Sequence, residues 1–148
     1  MKPAFILTVL LTTITVSCDS DDTPNTQAPS VVLNAFQNRF PHSVESHWEE
    51  TENIFEVEFE INDTDHKALI DRKGKLLRYK YEIDKEQLPL MVFHSLKTNY
   101  ETRKIDESEI YIKENDTIYQ IILDRTFNDE KIILSDSGEI LTQIPYWE

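Results

Sequence analysis

One cysteine and two glycines are all that the 148 residues contain, and 15 Lys and Arg stand against 28 Asp and Glu. A lone cysteine excludes an internal disulfide and a cysteine-based zinc site. Two glycines exclude a glycine-rich phosphate loop. The formal net charge of −13 argues against nucleic acid, because a phosphate-binding surface needs clustered cations. Outside the first residues no apolar run reaches the roughly 18 residues that span a bilayer. What is present is substantial: 39% hydrophobic and 10% aromatic residues can bury the core of one domain, which a disordered acidic tail could not.

The first residues read as an address. Lys2 precedes an uncharged apolar stretch from Ala4 to Leu11, and Thr15-Val16-Ser17 places small residues before Cys18. That is the layout of a secretory signal. The thiol, directly after Val-Ser, resembles a bacterial lipobox, in which the cysteine is lipidated and the peptide is cut before it. Thr15 stands where that pattern usually has Leu, and the alternative is an ordinary cleaved signal with a free thiol. The expected layout is a signal peptide over 1–17, a lipidated Cys18 opening a flexible acidic tether over 18–29, and a domain over 30–148. Membrane attachment is then through the lipid on Cys18. The acidic run Asp19-Ser20-Asp21-Asp22 resembles the Ser-plus-acid signal that sends some Gram-negative lipoproteins to the cell surface. A solvated linker is the alternative. Either way the expected place is the bacterial cell envelope, on the periplasmic side of the outer membrane or at the cell surface.

The domain reads as one unit written twice. Gly74 and Gly138 lie 64 residues apart, each between apolar stretches, and each suits a turn that needs positive φ. At the same offset Phe55, Val57, Phe59 and Ile70 match Tyr119, Ile121, Leu123 and Leu134. Upstream the offset is 60, matching Val32, Leu33, Phe36 and Phe40 to Val92, Phe93, Leu96 and Tyr100. The halves are 30–84 and 85–148. Each predicts a helix and then four strands. Ser30 is the expected N-cap of the first helix, Pro41 ends it, and Pro89 suits the first turn of the second. Phe55, Val57, Phe59 and Ile61 alternate with Glu56, Glu58 and Glu60; Leu77, Tyr79, Tyr81 and Ile83 alternate with Arg78, Lys80 and Glu82. Short connections imply hairpins. The expected fold is α+β: an antiparallel sheet of about eight strands with two helices on one face.

Here the chain resembles the β-lactamase-inhibitor-like, PepSY-like family of exported proteins. The resemblance rests on Phe40-Pro41, Trp48, Phe55-Glu56-Val57-Glu58-Phe59, Asp71-Arg72-Lys73-Gly74-Lys75-Leu76-Leu77, Leu88-Pro89 and Asp136-Ser137-Gly138-Glu139-Ile140-Leu141, in that order over about residues 30–145. It implies a tandem helix-plus-four-strand fold in a lipoprotein or periplasmic setting. It implies no inhibitory activity, because a fold does not fix a function.

Opposite the helices, the two halves differ. In the first, Glu56, Glu58 and Glu60 face Lys67, Arg78 and Lys80, a charge lattice suited to water. In the second, Tyr111, Ile118, Gln120, Ile122, Ile133, Ile140, Thr142 and Ile144 form a mostly apolar set. Left exposed, that set approaches the size of patch that marks an interaction site for a protein or peptide, and Tyr111, Ile118, Gln120, Ile122, Ile133, Ile140 and Thr142 are the candidate binding residues. The alternatives are cover by Tyr146 and Trp147, closure in a homodimer, or a one-residue register slip, which exchanges the faces. Asp116-Thr117-Ile118 resembles the acceptor of a bacterial O-glycosylation system at Thr117; a plain turn is the alternative. No metal or cofactor is expected, since His42 and His47, five apart, have no third ligand. Glu56–Glu58–Glu60 could serve a carboxylate-based hydrolase only as a remote alternative, since three acids on one strand read as a solvated face. The expected function is a non-enzymatic, lipid-anchored envelope domain that binds a partner through its open sheet face. The alternative is a self-associating structural or stress-related envelope lipoprotein.

Overall fold

A computed structural model describes residues 27–100, 104–126 and 128–148. The segments expected to be a signal peptide and most of a tether, with Cys18, lie outside the described residues. Helix α1 (Ser30–Arg39) leads into four strands: β1 (Val44–Thr51), β2 (Ile54–Ile61), β3 (Thr64–Asp71) and β4 (Leu76–Glu82). After a single 3-10 turn, helix α2 (Leu90–Asn99) leads into β5 (Ile105–Lys113), β6 (Asp116–Leu123) and β7 (Glu130–Ser135). The strands form one antiparallel meander in sequence order, β1 to β7.

Seven strands stand where about eight were expected. The residues meant for the eighth make one bridge, Leu134 with Ile140, and one bond from Leu141 N–H to the Ile133 carbonyl. The chain then turns at Thr142–Gln143 and leaves the sheet edge. The helix starts also differ from expectation. Pro29 and Pro89 are the N-caps, without a side-chain cap bond, so Ser30 is the first helical residue and Pro89 lies just outside its helix.

One row of side chains crosses six strands: Phe59, His66, Tyr81, Ile110, Tyr119 and Leu134, each opposite the next. Both helices lie over this face. Val32 and Phe36 of α1 and Phe40, which caps its C-terminus, recur every four residues and pack with Phe55, Val57, Phe59, Ala68 and Ile70. The Phe36 ring lies 4.9 Å from Phe59 and 5.1 Å from Trp48, edge to face. Val92 and Leu96 of α2 do the same over Tyr119, Ile121, Leu123, Ile132 and Leu134. Between the two clusters, His66 stacks with Phe59, Tyr79 and Tyr81, and its Nδ1 is 2.7 Å from the Tyr79 hydroxyl.

The two glycines occupy matching places. Gly74 N–H bonds the Asp71 carbonyl and Asp71 N–H bonds the Lys75 carbonyl; Gly138 and Ser135 make the same pair of bonds with Ser135 and Glu139. Their φ values are +82° and +81°, and each turn presses on a helix, Gly74 against Val31 and Ala35, Gly138 against Met91 and Ser95. The other tight turns use positive-φ residues that are not glycine: Glu52-Asn53, Asn62-Asp63 and Glu114. A bulge between Leu69 and Ile70 shifts the register, so Leu76, and not the expected Leu77, packs on the α1 cluster. At the free edge, β1 is charged and irregular between Val44 and His47, with Glu45 at φ +50°, which discourages edge-to-edge pairing.

Candidate functional site

The face away from the helices changes character along a single row. Glu58, Lys67, Lys80, Tyr111, Ile118 and Ser135 lie opposite one another from β2 to β7. At the β2 end the expected charge lattice is present: Lys67 Nζ sits 3.1 Å from Glu56 and 2.6 Å from Glu58. Burial works against the Lys67 charge, but the two carboxylates outweigh it and its pKa is raised. As counter-ions to one ammonium, Glu56 and Glu58 are not arranged as an acid and a base flanking a substrate.

Toward β7 the face is covered by the chain itself. Leu141, Ile144, Tyr146 and Trp147 cross it and pack on Tyr111, Ile118 and Ile133. Residues 144–148 act as a strap, held largely through its main chain. Gln120, fully buried, donates from Nε2 to the Trp147 carbonyl (2.8 Å) and accepts the Trp147 N–H on Oε1 (3.1 Å). Lys80 donates to the same carbonyl (2.9 Å) and pairs with Glu109 at 2.8 Å. Glu109 also accepts from Gln120 at 3.1 Å and from the Tyr146 hydroxyl at 3.4 Å. The Trp147 ring lies 5.5 Å from Tyr111 and 5.6 Å from the Lys80 ammonium. Lys67 donates to the Glu148 carbonyl (3.1 Å), and Lys131 to its side chain (2.6 Å). Burial, and then the charge of Glu109, push the Tyr146 hydroxyl well above the usual phenol range. The bond from Lys131 holds the Glu148 carboxyl low.

Beside the strap a concavity of about 540 Å³ stays open, lined by eight carboxylates and two lysines. Glu58, Glu60, Glu82, Asp106, Glu107 and Glu109 are among the acids; Lys67 and Lys80 are the cations. Both cations already have carboxylate partners. Burial, and next the neighbouring Glu109, raise the Glu107 carboxyl.

The seven residues expected on an open apolar face are placed as follows. Tyr111, Ile118, Gln120 and Ile133 are on that face and buried under the strap. Ile122 is on it and half-buried, opposite Lys131. Ile140 is not on it. The hairpin around Gly138 pairs it with Leu134, so it packs with the α2 cluster. Thr142 is exposed in the turn that ends the ladder. Thr117 is exposed near the start of β6, opposite Ile112. His42 and His47 are exposed, and no group of three metal-ligating side chains occurs among the described residues. The sequence reading missed the buried Lys80–Glu109 pair and the role of Gln120. A signal existed for the second: a lone amide within Ile118-Tyr119-Gln120-Ile121-Ile122 demands a hydrogen-bonding partner once buried.

No family model and no curated protein matches this sequence. Solved structures do. A protein of Bacteroides eggerthii described as periplasmic aligns with a TM-score of 0.72 at 16% identity, covering 78% of this chain and 87% of its own. A DUF2874 family protein of Bacteroides uniformis gives 0.71 at 17% identity, covering 78% and 87%. A BLIP-like protein of Bacteroides fragilis gives 0.69 at 17% identity, covering 82% and 89%. The chain shares the BLIP-like fold. The resemblance read from the sequence motifs is thus correct at the level of architecture. In this BLIP-like sheet the covered half and the acidic half meet at Lys67, Lys80 and Glu109. No helix among the described residues is long and apolar enough to cross a membrane.

Proposed function

We propose that this chain is a non-enzymatic domain of the bacterial cell envelope, anchored by a lipid on Cys18, that binds a protein or peptide partner on the sheet face away from its helices. One observation carries the reading: that face already holds an extended stretch of polypeptide through a side-chain amide and a lysine that bond its main chain. Such contacts are what a peptide-binding surface supplies. The strongly acidic chain steers it toward basic partners. Likeness to a periplasmic protein and to a BLIP-like protein fits an envelope setting without an enzymatic role. The two halves, with matched glycine turns and matched core positions, read as a duplicated unit in which the second copy has given up its last strand.

A photo-reactive amino acid placed at Glu58 or Ile122 in living cells is expected to give a discrete cross-linked species. The same group at Gln37 or Lys97, on the outer sides of the helices, is expected to give none. Equal cross-linking from the helix positions refutes the assignment of the face. A homodimer adduct favours the self-associating alternative. For the anchor, Cys18→Ser is expected to move the protein from the detergent phase to the aqueous phase on Triton X-114 partitioning. Unchanged partitioning removes lipidation from the reading.

A further inference from the structure

Resting on that partner-binding reading, we propose that residues 144–148 are a built-in ligand, displaced by an extended peptide that carries an aromatic residue followed by basic residues. The strap shows what its site recognises. Gln120 bonds both the N–H and the carbonyl of one residue, which reads extended backbone whatever the side chain. Selection falls to the slot between Tyr111 and Lys80, filled by the Trp147 ring. An aromatic ring fits there, with the lysine over its face.

The basic requirement comes from what the strap leaves unused. Lys67 and Lys80 touch the strap and also line the acidic concavity, so the two sites share a wall. The strap places Glu148, itself an acid, at that wall. A peptide running on past the position of Glu148 enters a space with eight carboxylates and two lysines already paired. Arg or Lys side chains there would gain contacts that residues 144–148 do not make. That difference in affinity is what lets a separate peptide compete with a tethered one, whose effective concentration is in the millimolar range.

The test is fluorescence anisotropy of a labelled peptide, IPYWKKR, on the full chain. Trp147→Ala removes the strap's anchor and is expected to tighten binding by about 10- to 100-fold over the wild type. Lys131→Ala, which frees the strap at Glu148 and Tyr146 without touching the slot, is expected to tighten it several-fold. Adding Gln120→Leu to Trp147→Ala is expected to weaken binding at least 10-fold, as is the peptide IPYAKKR. The peptide IPYWEEE is expected to bind weakly to every form. Circular dichroism confirms that each variant is folded, and Lys131→Ala keeps the test decisive if Trp147→Ala is not. The proposal is overturned if neither strap variant binds more tightly than wild type, or if IPYAKKR binds as well as IPYWKKR, which would leave charge attraction alone. Discrete cross-links at Glu58 or Ile122 alongside such a result would keep the partner-binding reading and reject only the built-in ligand.

Discussion

Gly138→Ala isolates the geometry that seats α2 on the sheet. At φ +81° an alanine occupies the left-handed region, which costs an L-residue about 1–2 kcal/mol. The added methyl also has nowhere to go. It would stand 2.4 Å from the Met91 carbonyl oxygen and 2.9 Å from its carbonyl carbon. Both atoms are helix backbone, so the helix must move off Leu134 and Ile132 or the hairpin must open. Forcing extra volume into a packed site costs about 1–3 kcal/mol. The sum, about 2–5 kcal/mol, is a large part of the 5–15 kcal/mol typical of a domain. Gly74→Ala shares the backbone term at φ +82°, but its methyl would meet Ala35 Cβ at 3.0 Å and the Val31 oxygen at 3.1 Å. Its expected cost is about 2–3 kcal/mol, from the same backbone term and a smaller repacking term. Urea titration read by tryptophan fluorescence measures both, with Trp48 in the α1 cluster and Trp147 in the strap. A Gly138→Ala chain within about 0.5 kcal/mol of wild type, the range of ordinary surface changes, refutes the reasoning. A Gly74→Ala chain that loses more than Gly138→Ala keeps the φ argument and sinks the close-approach argument.

Lys80→Met is expected to cost about 3–5 kcal/mol in the same titration, because it leaves Glu109 buried without its counter-ion. The pair Lys80→Met with Glu109→Leu is expected to lose less than Lys80→Met alone; an additive loss would mean the ion pair is not what matters. His66 is held below its usual pKa of 6.5, first by burial. As pH falls through 6.5 the unfolded chain takes up the proton first, so stability present above that value is lost until the folded pKa is passed. The stability difference between wild type and His66→Phe should therefore favour wild type more at pH 7.5 than at pH 5.5, and a difference that does not change with pH removes His66 from the linkage. Asn53→Gly, at φ +68° in a two-residue hairpin turn, is expected to raise the melting temperature by the equivalent of about 0.5–1 kcal/mol, and a decrease would mean the turn is not of the type that favours glycine there.

The main architecture was legible because it depends on periodicity. Val32-Phe36-Phe40 and Phe55-Val57-Phe59 declare which side is buried before any partner is known. The glycines were legible because so few exist that each must answer a backbone need. What was not legible depends on single-residue offsets and on distant segments. Leu76 replaces Leu77 because of one bulge, and Ile140 changes faces because a hairpin pairs it with Leu134. Alternation places Lys80 outward, on the face that the structure shows it to share with Glu109. That outward is buried here follows only from Trp147, 67 residues from Lys80, lying over them. Local pattern carries no term for such cover.

The chemistry of the covered face bears on whether the strap can lift. Burying Trp147 removes about 150–250 Å² from water, worth roughly 4–6 kcal/mol at most. The hydrogen bonds from Gln120, Lys80, Lys67 and Lys131 add about 0.5–1.5 kcal/mol each. Against this, fixing the backbone of residues 144–148 costs about 1–2 kcal/mol per residue, and ordering their side chains costs more. The terms balance to within a few kcal/mol, so opening of the strap is expected to take less free energy than unfolding of the domain. A purely apolar floor would then become an aggregation-prone patch. Here the floor is crossed by Lys80, Glu109 and Gln120, which water satisfies as well as the strap does, and by a neighbouring row of carboxylates that is already wet. Such a floor tolerates both states, which a core has no need to do and an exchangeable peptide site must.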